Sequence, residues 1–314
     1  MFNNILSITE YNQTHNIIKF LGFKIKLPKP KYANIYKNLP YQKYKKNNLP
    51  ISSIPKAEGV FRDIQLANLT LLKEFDYVCK KNDLTYWLDF GTLLGAIRHK
   101  GFIPWDDDID IGMLRSDYNK LIDCFKKSSK DSDIFADFVK CENNNSQIIL
   151  KIMHKKCKEL FVDVFPYDIY DKALTTEAQI NKTLELKQLR KDLQKEFQQD
   201  FSIADTINLI NIFKNKIKLI DNLNDKNDLV WGIDYNHSWK NWFSPFSTIF
   251  PLKTIEFEGY EFPCFNKPEE YLTKVYGDYM AYPKKFGYGH NMFVDFDNKT
   301  KDLISEIIKN KEQL

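Results

Sequence analysis

The sequence predicts an α+β fold, in which a mixed β-sheet is flanked by helices and carries a helical insertion. Three observations support this prediction. From residue 60 to residue 173, short runs of β-forming residues alternate with amphipathic helical patterns. Residues 174–223 are poor in Gly and Pro and rich in Lys, Gln, Glu and Leu, which indicates two long helices broken near Asp200. Residues 228–265 then return to strand-like, aromatic sequence.

The N-terminal 58 residues form a basic, aromatic arm that differs from the rest of the chain. Residues 17–27 alternate around Gly22 like a hairpin of two short strands, and a stretch rich in Pro, Lys and Tyr follows. Such an arm could contact anionic lipid or an acidic glycan. A solvated linker that wraps the domain is an equally good interpretation.

The next elements are a helix, a strand and a second, shorter helix. Apolar residues at spacings of three and four predict a helix over residues 60–82, namely Ile64, Ala67, Leu71, Phe75 and Val78. A strand over residues 85–90 should follow it, and then Gly91 and Thr92 lead into an apolar helix over residues 93–100. A strand, a glycine with a hydroxyl residue and a helix N-terminus together are typical of a phosphate-binding site.

The run Asp106, Asp107, Asp108 and Asp110 places four carboxylates within five residues. In an extended strand, Asp106, Asp108 and Asp110 share one face. A half-buried strand cannot solvate such a cluster fully, so a hard cation such as Mg²⁺ is the simplest way to stabilise it. The alternative is a solvated acidic loop, but the alternating pattern that ends at Met113 favours a strand.

Further elements are predicted in order along the chain. A helix contains Tyr118 to Phe125, a hairpin joins residues 135–140 to 147–153, and a buried strand carries Asp163. Because a lone buried carboxylate is costly, Asp163 needs a partner, which is either a Lys or Arg or a metal shared with the Asp run. Asp168 is interpreted as a loop cap or an acceptor contact.

The C-terminal part contains a turn at Gly259 and a helix over Lys267–Tyr276, which is bracketed by Pro268 and Gly277. His290 lies in a Gly-rich loop, where it either contacts the donor, shuttles a proton or has no role. The aromatic residues of this part could stack on an acceptor, although core packing explains them equally well.

Residues 88–110 resemble the signature of the LicD family, which includes bacterial phosphocholine transferases and animal fukutin-related ribitol-phosphate transferases. The resemblance is nearly continuous there and extends more weakly to residues 161–168 and 276–283. It covers residues 60–295, with a poorly matched middle. It implies a nucleotidyltransferase-like fold and metal-dependent transfer of a phospho-alcohol from a CDP-linked donor to a sugar hydroxyl. The acceptor would be a bacterial surface glycan such as capsule, lipopolysaccharide or teichoic acid.

The candidate site residues follow from these motifs together with the resemblance. Asp108, Asp110 and Asp163 are the candidate catalytic residues, and with Asp106 they would hold Mg²⁺ or Mn²⁺. The candidate donor-binding residues are Gly91, Thr92, Arg98, Asp89, Trp105 and His290. The corresponding segments are the arm (1–58), the catalytic core (59–173), a helical insertion (174–226) that we expect to cover the acceptor cleft, and a C-terminal part (227–314).

Composition narrows the function classes. The formal net charge is only +4 among 314 residues, so bulk electrostatics gives no indication of nucleic-acid binding. Five widely spaced cysteines suggest neither a zinc site nor a disulfide framework, which favours a reducing cytoplasmic location. No apolar run approaches the length of a membrane span, so any membrane contact is expected to be peripheral.

Three rival functions remain at this point. A nucleotidyltransferase would use the same metal chemistry but release pyrophosphate. A glycosyltransferase is a second rival, because Asp-x-Asp motifs also bind sugar nucleotides. A non-catalytic glycan-binding protein could keep the Asp cluster for Ca²⁺.

Overall fold

The computed structural model describes residues 6–10, 15–20, 23–28, 39–128, 132–141, 144–195, 202–217, 219–232, 241–284, 287, 290–292 and 294–311. Its centre is a seven-stranded mixed sheet flanked by helices, which confirms the predicted α+β class. No helix in these ranges is long and apolar enough to cross a bilayer.

The helices are α1 (Pro40–Lys46), α2 (Gly59–Lys81), α3 (Phe90–His99), α4 (Arg115–Ser128), α5 (Thr176–Gln194), α6 (Ile203–Ile217), α7 (Phe246–Ile249), α8 (Pro268–Tyr276) and α9 (Asn298–Lys311), with a 3₁₀ turn at Ile51–Ser53. The strands are β1 (Leu6–Glu10), β2 (His15–Phe20), β3 (Phe23–Pro28), β4 (Tyr86–Leu88), β5 (Asp110–Leu114), β6 (Ile134–Cys141), β7 (Asn144–His154), β8 (Cys157–Tyr170), β9 (Asp228–Trp231), β10 (Phe243–Pro245), β11 (Lys253–Phe257) and β12 (Tyr260–Cys264).

The long strand β8 organises the central sheet. Its neighbours β5 and β7 both pair with it, β5 in parallel and β7 antiparallel, and the sheet continues through β4 on one side and through β9 and β10 on the other. The β5–β8 register sets Asp110 opposite Asp163. Two carboxylates from distant parts of the sequence therefore lie side by side at one end of the sheet.

Helix α2 confirms the predicted apolar stripe, because all five of its stripe residues are buried. The same helix also buries two amides that the stripe did not indicate. Gln65 Nε2 donates to the carbonyl of Asp106 (2.7 Å), and Asn68 Nδ2 donates to the carbonyl of Asp107 (2.6 Å). Asn68 Oδ1 also accepts from the N–H of Phe161 (3.0 Å). Helix α2 thus ties the Asp run to strand β8.

The predicted hairpin in the N-terminal arm is confirmed, since β2 and β3 pair antiparallel, and β1 adds a third strand. Residues 1–5, 11–14, 21–22 and 29–38 of the arm lie outside the described residues. From Tyr41 onward the arm packs on the core. The Tyr41 ring meets the edge of Trp105 at 4.9 Å between centroids, and Ile51 and Ile54 are buried.

The two predicted helices of the insertion are α5 and α6. They pack with β9 and β10 around a second apolar cluster that includes Leu186, Leu209 and Phe213. Strand β8 extends further than predicted and contains Asp168, so the interpretation of this residue as a loop cap is wrong. Asp168 is buried and forms a two-pronged ion pair with Arg115 at 3.0 and 2.7 Å. A buried carboxylate with such a partner can lie inside a strand because its charge is compensated.

The C-terminal elements follow the predicted order. Helix α8 begins at Pro268 and ends before Gly277, which has φ +73°. The β11–β12 hairpin turns at Glu258 and Gly259, whose φ angles are +54° and +82°. Helix α9, which packs on α2, was not predicted.

Candidate active site

Three acidic side chains of the Asp run lie together at the edge of the central sheet. Only Asp110 belongs to a regular strand, because β5 begins there, so the prediction that a strand carries all four carboxylates is wrong. The predicted alternation is nevertheless present. Asp106, Asp108 and Asp110 are partly exposed, while Asp107 and Ile109 are buried. The segment before β5 thus places the three carboxylates as a strand would.

The N-terminus of α3 points at these carboxylates. The Gly91 N–H donates to Asp110 Oδ2 at 3.3 Å. A Cβ atom at Gly91 would lie 3.2 Å from Asp106 Oδ2 and 3.6 Å from Asp110 Oδ2, so the glycine permits their close approach. The positive end of the helix dipole therefore stabilises protein carboxylates, where the sequence predicted a substrate phosphate.

Thr92 does not face the cleft, contrary to its predicted donor contact. Its hydroxyl accepts the N–H of Asp110 at 2.8 Å, and the residue is 4% exposed. The hydroxyl thus fixes the backbone at the first residue of β5. This contact sets the position of Asp110 relative to α3.

Asp89 is fully buried beneath the site and cannot contact a donor in this arrangement. Its carboxylate caps the N–H of Phe90 at 2.8 Å and accepts hydroxyl hydrogen bonds from Tyr167 and Tyr271. Burial raises the pKa of Asp89 to about 6, although the two tyrosines and the capped N–H favour the charged form. The residue anchors α3, which explains its place in the motif.

Arg98 and Trp105 also turn to protein partners. The Arg98 Nη1 donates to the Tyr279 carbonyl at 2.7 Å, and its guanidinium lies 5.8 Å from the centre of the Trp105 ring. Both residues are 7% exposed. Burial lowers the pKa of Arg98 to about 10, and the charge of Asp106 is among the groups that oppose the shift. Arg98 is therefore a buried positive charge that interacts electrostatically with Asp106.

Asp163 lies beside Asp110 in the register of β5 and β8, and its N–H donates to the Ile109 carbonyl at 2.8 Å. The sequence left open whether Asp163 pairs with a basic residue or with a metal. The structure gives it a basic partner, because Lys151 Nζ lies 2.5 Å from Asp163 Oδ1. Burial raises the pKa of Asp163 to about 6, and the charge and hydrogen bond of Lys151 act in the opposite direction.

The electrostatics of the cluster are dominated by burial and by like charges. Burial, followed by the charge of Asp108, raises the pKa values of Asp106 and Asp110 well above the usual range. Burial acts on Asp108 as well, but hydrogen bonds from His290 and Asp106 hold its pKa below the usual value. The fully ionised cluster is therefore unfavourable without an added cation.

A divalent metal fits the chemistry of this cluster, since Asp106, Asp108, Asp110 and Asp163 all offer carboxylate oxygens and hard cations prefer oxygen. Within the described residues, no three His, Cys, Asp or Glu side chains lie in a ready-made metal-ligand arrangement. An ion would therefore have to draw the carboxylates together on binding.

The segment at 290–292 closes one side of the cluster. Asn291 donates to Asp107 Oδ2 through its backbone N–H (3.0 Å) and its side-chain Nδ2 (2.8 Å). His290 Nε2 lies 3.5 Å from Asp108 Oδ2, and its imidazole is 61% exposed. The contact with Asp108 raises the pKa of His290. His290 is thus the predicted donor contact that does face the cleft.

Three residues near the cluster were not identified from the sequence. Lys151 is a single charge in the apolar run of β7, and this pattern could have indicated that it has a partner near the site. Asn291 directly follows His290, a candidate donor-binding residue. Tyr276 is 42% exposed, and its pKa is raised first by burial of the hydroxyl and then by Asp110 and its neighbours, so the hydroxyl end faces the acids.

Comparisons with known proteins agree on one family. The family described as LicD/FKTN/FKRP, nucleotidyltransferase domain, matches residues 83–199. The chain is similar to the Lipopolysaccharide cholinephosphotransferase LicD of Haemophilus influenzae, with 30% identity over 249 residues that cover 71% of this chain and 92% of the relative. It is also similar to the human Ribitol 5-phosphate transferase FKRP, with 32% identity over 85 residues, which are 26% of this chain and 16% of that protein.

Proposed function

The chain belongs to the LicD family of phosphotransferases, and we propose that it transfers a phospho-alcohol from a CDP-activated donor to a sugar hydroxyl of a surface glycan, with a divalent metal held by its aspartates. The transferred group would be phosphocholine, glycerol phosphate, ribitol phosphate or a similar phospho-alcohol. The relatives are named for a lipopolysaccharide cholinephosphotransferase and a ribitol 5-phosphate transferase, which supports a glycan acceptor for this chain.

The observation that carries the proposal is the register of β5 and β8. It brings Asp110 and Asp163 side by side at the end of the sheet, next to Asp106 and Asp108. Phosphoryl-transfer sites that use metal ions hold them with such carboxylates.

Asp106, Asp108, Asp110 and Asp163 would hold the metal, Mg²⁺ or Mn²⁺. When bound, it would neutralise the donor diphosphate and the charge that develops on the leaving CMP. The protein groups have separate tasks. Gly91 and Thr92 keep Asp110 in place from the N-terminus of α3. His290 is exposed beside Asp108, where it can donate a hydrogen bond to a donor phosphate oxygen.

The acceptor hydroxyl needs a base to take its proton. Asp163 is the candidate, because burial raises its pKa to about 6 and a base works best when its pKa is near the operating pH. The proton would pass from the sugar hydroxyl to the Asp163 carboxylate as the oxygen attacks phosphorus. Its carboxylate can act as base, as metal ligand or in both roles.

We also propose that the reaction takes place in the cytoplasm, with peripheral contact to the inner face of the membrane. The five cysteines are free thiols, which supports a reducing compartment. The basic residues Lys43, Lys45 and Lys46 of α1 are exposed, which supports contact with anionic lipid.

The test is a thermal-shift panel of CDP-choline, CDP-glycerol, CDP-ribitol, CDP-ethanolamine, UDP-sugars and NTPs, each with Mg²⁺ and with EDTA. A ligand that binds the folded state raises the melting temperature. We expect one CDP-alcohol to stabilise the protein in the presence of Mg²⁺ only, and CMP to be released when a glycan acceptor is added.

The matched variants are Asp110→Asn and Asp123→Asn. The Asp123 side chain on α4 is 71% exposed and lies outside the cluster. The metal-dependent shift should disappear in the first variant and persist in the second. Stabilisation by a UDP-sugar or an NTP instead would replace the proposal with a glycosyltransferase or a nucleotidyltransferase, and the absence of any metal-dependent shift would favour a non-catalytic binding protein.

A further inference from the structure

Lys151, Asp163 and Asp110 form one row across three neighbouring strands. The register of β7 and β8 sets Lys151 opposite Asp163, and the register of β8 and β5 sets Asp163 opposite Asp110. Opposed residues of paired strands project to the same side of the sheet. The row therefore begins with a cation and continues into the carboxylate cluster.

The ammonium of Lys151 is held by two contacts. Its Nζ lies 2.5 Å from Asp163 Oδ1 and 3.5 Å from the centre of the Phe161 ring. The Lys151 and Asp163 side chains are only 17% and 11% exposed. A cation over an aromatic face and against a carboxylate is well stabilised when it is largely withdrawn from water.

The position of the ammonium matters because Asp163 is also a proposed metal ligand. A divalent ion bound by Asp110 and Asp163 would lie next to the ammonium, and the two cations would repel each other. The Phe161 ring, which also meets the His290 ring at 5.5 Å between centroids, borders the side of the cleft where His290 is exposed. The Phe161 ring therefore contacts both the Lys151 ammonium and His290, the residue that the proposed function assigns to the donor phosphate.

We propose that Lys151 is the resident counter-cation of Asp163, that an incoming divalent metal displaces it, and that the released ammonium then contacts a phosphate oxygen of the nucleotide donor. This inference rests on the proposed function, because it requires a metal at the Asp cluster. It assigns Lys151 two successive partners, the carboxylate in the metal-free protein and the phosphate in the loaded one.

The first test uses the wild-type protein, so it does not depend on the folding of a variant. Lysines are acetylated with a limiting reagent at pH 8, with and without saturating Mg²⁺, and the label at each lysine is measured by peptide mass spectrometry. We expect acetylation of Lys151 to rise several-fold with Mg²⁺. Lys158, an exposed residue of the same β7–β8 hairpin, should be labelled equally in both conditions.

The second test compares Mn²⁺ affinity without substrate in Lys151→Met, Lys151→Arg and the control Lys158→Met. Lys151→Met removes the positive charge that competes with the metal for the Asp163 carboxylate, so Mn²⁺ should bind roughly tenfold more tightly. The Arg variant keeps the charge and should bind as the wild type does. In turnover assays the Met variant should raise the KM for the donor, although it holds the metal more tightly.

Removal of a residue that only stabilises the fold would leave Mn²⁺ affinity unchanged or weaken it. Equal or weaker Mn²⁺ binding in Lys151→Met, or Lys151 labelling that Mg²⁺ leaves unchanged although the metal binds, would overturn the inference and leave the proposed function standing. If the wild-type protein binds neither Mn²⁺ nor Mg²⁺, both fail together.

Discussion

Glu258 offers the most direct test of how distant residues support the Asp run. This residue lies at the β11–β12 turn with φ +54°, a left-handed conformation that is unfavourable for a residue with a side chain. Its carboxylate is 2% exposed and accepts hydrogen bonds from Arg62, Lys56 and the N–H of Phe102. Phe102 lies four residues before Asp106, so the turn holds the start of the acidic segment.

The expected cost of Glu258→Ala can be derived from these contacts. Loss of the Arg62 partner costs about 2 kcal/mol, below the full value for a buried ion pair because the Arg62 side chain is 17% exposed. An unpaired Phe102 N–H costs about 1–2 kcal/mol more. Lys56, 55% exposed, contributes little. The free energy of unfolding should therefore fall by about 3–4 kcal/mol, which lowers the melting temperature of a chain of 314 residues by about 5–6 °C.

The assay is urea and thermal unfolding of Glu258→Ala, Glu258→Gln and the control Glu261→Ala. Glu261 is an exposed residue of the same hairpin, so its loss should change stability by less than about 0.5 kcal/mol. The Gln variant keeps the shape but not the charge and should lie between wild type and Ala. A Glu258→Ala protein within 1 kcal/mol of wild type would refute the reasoning.

The pH dependence provides a second check on the same residue. Burial acts to raise the pKa of Glu258, but Arg62, Lys56 and the Phe102 N–H hold it below its ordinary value of 4.5. A carboxyl with a lowered folded pKa stabilises the protein above its unfolded pKa, and the effect is lost as pH falls through the folded value. The stability difference between wild type and Glu258→Gln should therefore be full above pH 4.5 and shrink below it.

Three further predictions concern the cluster itself. Asp110→Asn should reduce turnover on the order of 10³-fold without lowering the melting temperature, because it removes like-charge repulsion. Steady-state assays with Asp123→Asn as the control measure this, and a variant with near-normal rates would contradict the mechanism. Thr92→Val should lower the free energy of unfolding in urea by about 1–2 kcal/mol, because the Asp110 N–H loses its acceptor. Thr92→Ser keeps the hydroxyl and should retain most of the stability, so equal losses in both variants would exclude the hydroxyl as the cause. Gly91→Ala should leave the free energy of unfolding within about 1 kcal/mol of the wild type, since alanine favours the helix. It should lower turnover, because its Cβ would lie 3.2 Å from Asp106 Oδ2. Unchanged kinetics would show that the close approach of Asp106 to residue 91 is not needed.

The sequence predicted the elements whose pattern is repeated over several residues. The stripe of α2 and the alternation of Asp106 to Asp110 are such patterns, because burial of one face demands them. Asp163 was also identified, since one charge in an apolar strand needs a partner. Its lysine partner was identified only as a residue type, because the pairing of β7 with β8 depends on register.

The sequence did not indicate which way the side chains of the Gly91–Trp105 segment point. Thr92, Arg98 and Trp105 are residue types that bind phosphates and bases, yet all three are turned toward protein groups. Thr92 and Arg98 belong to the short helix α3, whose packing against the sheet decides which of its residues face the cleft, and Trp105 lies in the turn that follows it. Helix α9 was missed for a simpler reason, since no motif drew attention to it.

Asp107 has a consequence for mutational scans of this protein. Unlike its three neighbours it faces away from the cleft, is buried, and is tied to the N–H and amide of Asn291. A library screened only for lost activity would score all four aspartates alike. A screen that also reads protein abundance should separate them, because substitution of Asp107 removes the acceptor of both Asn291 hydrogen bonds and is expected to lower the amount of folded protein. The four aspartates of the acidic segment would then divide into three positions needed for the proposed chemistry and one needed for folding.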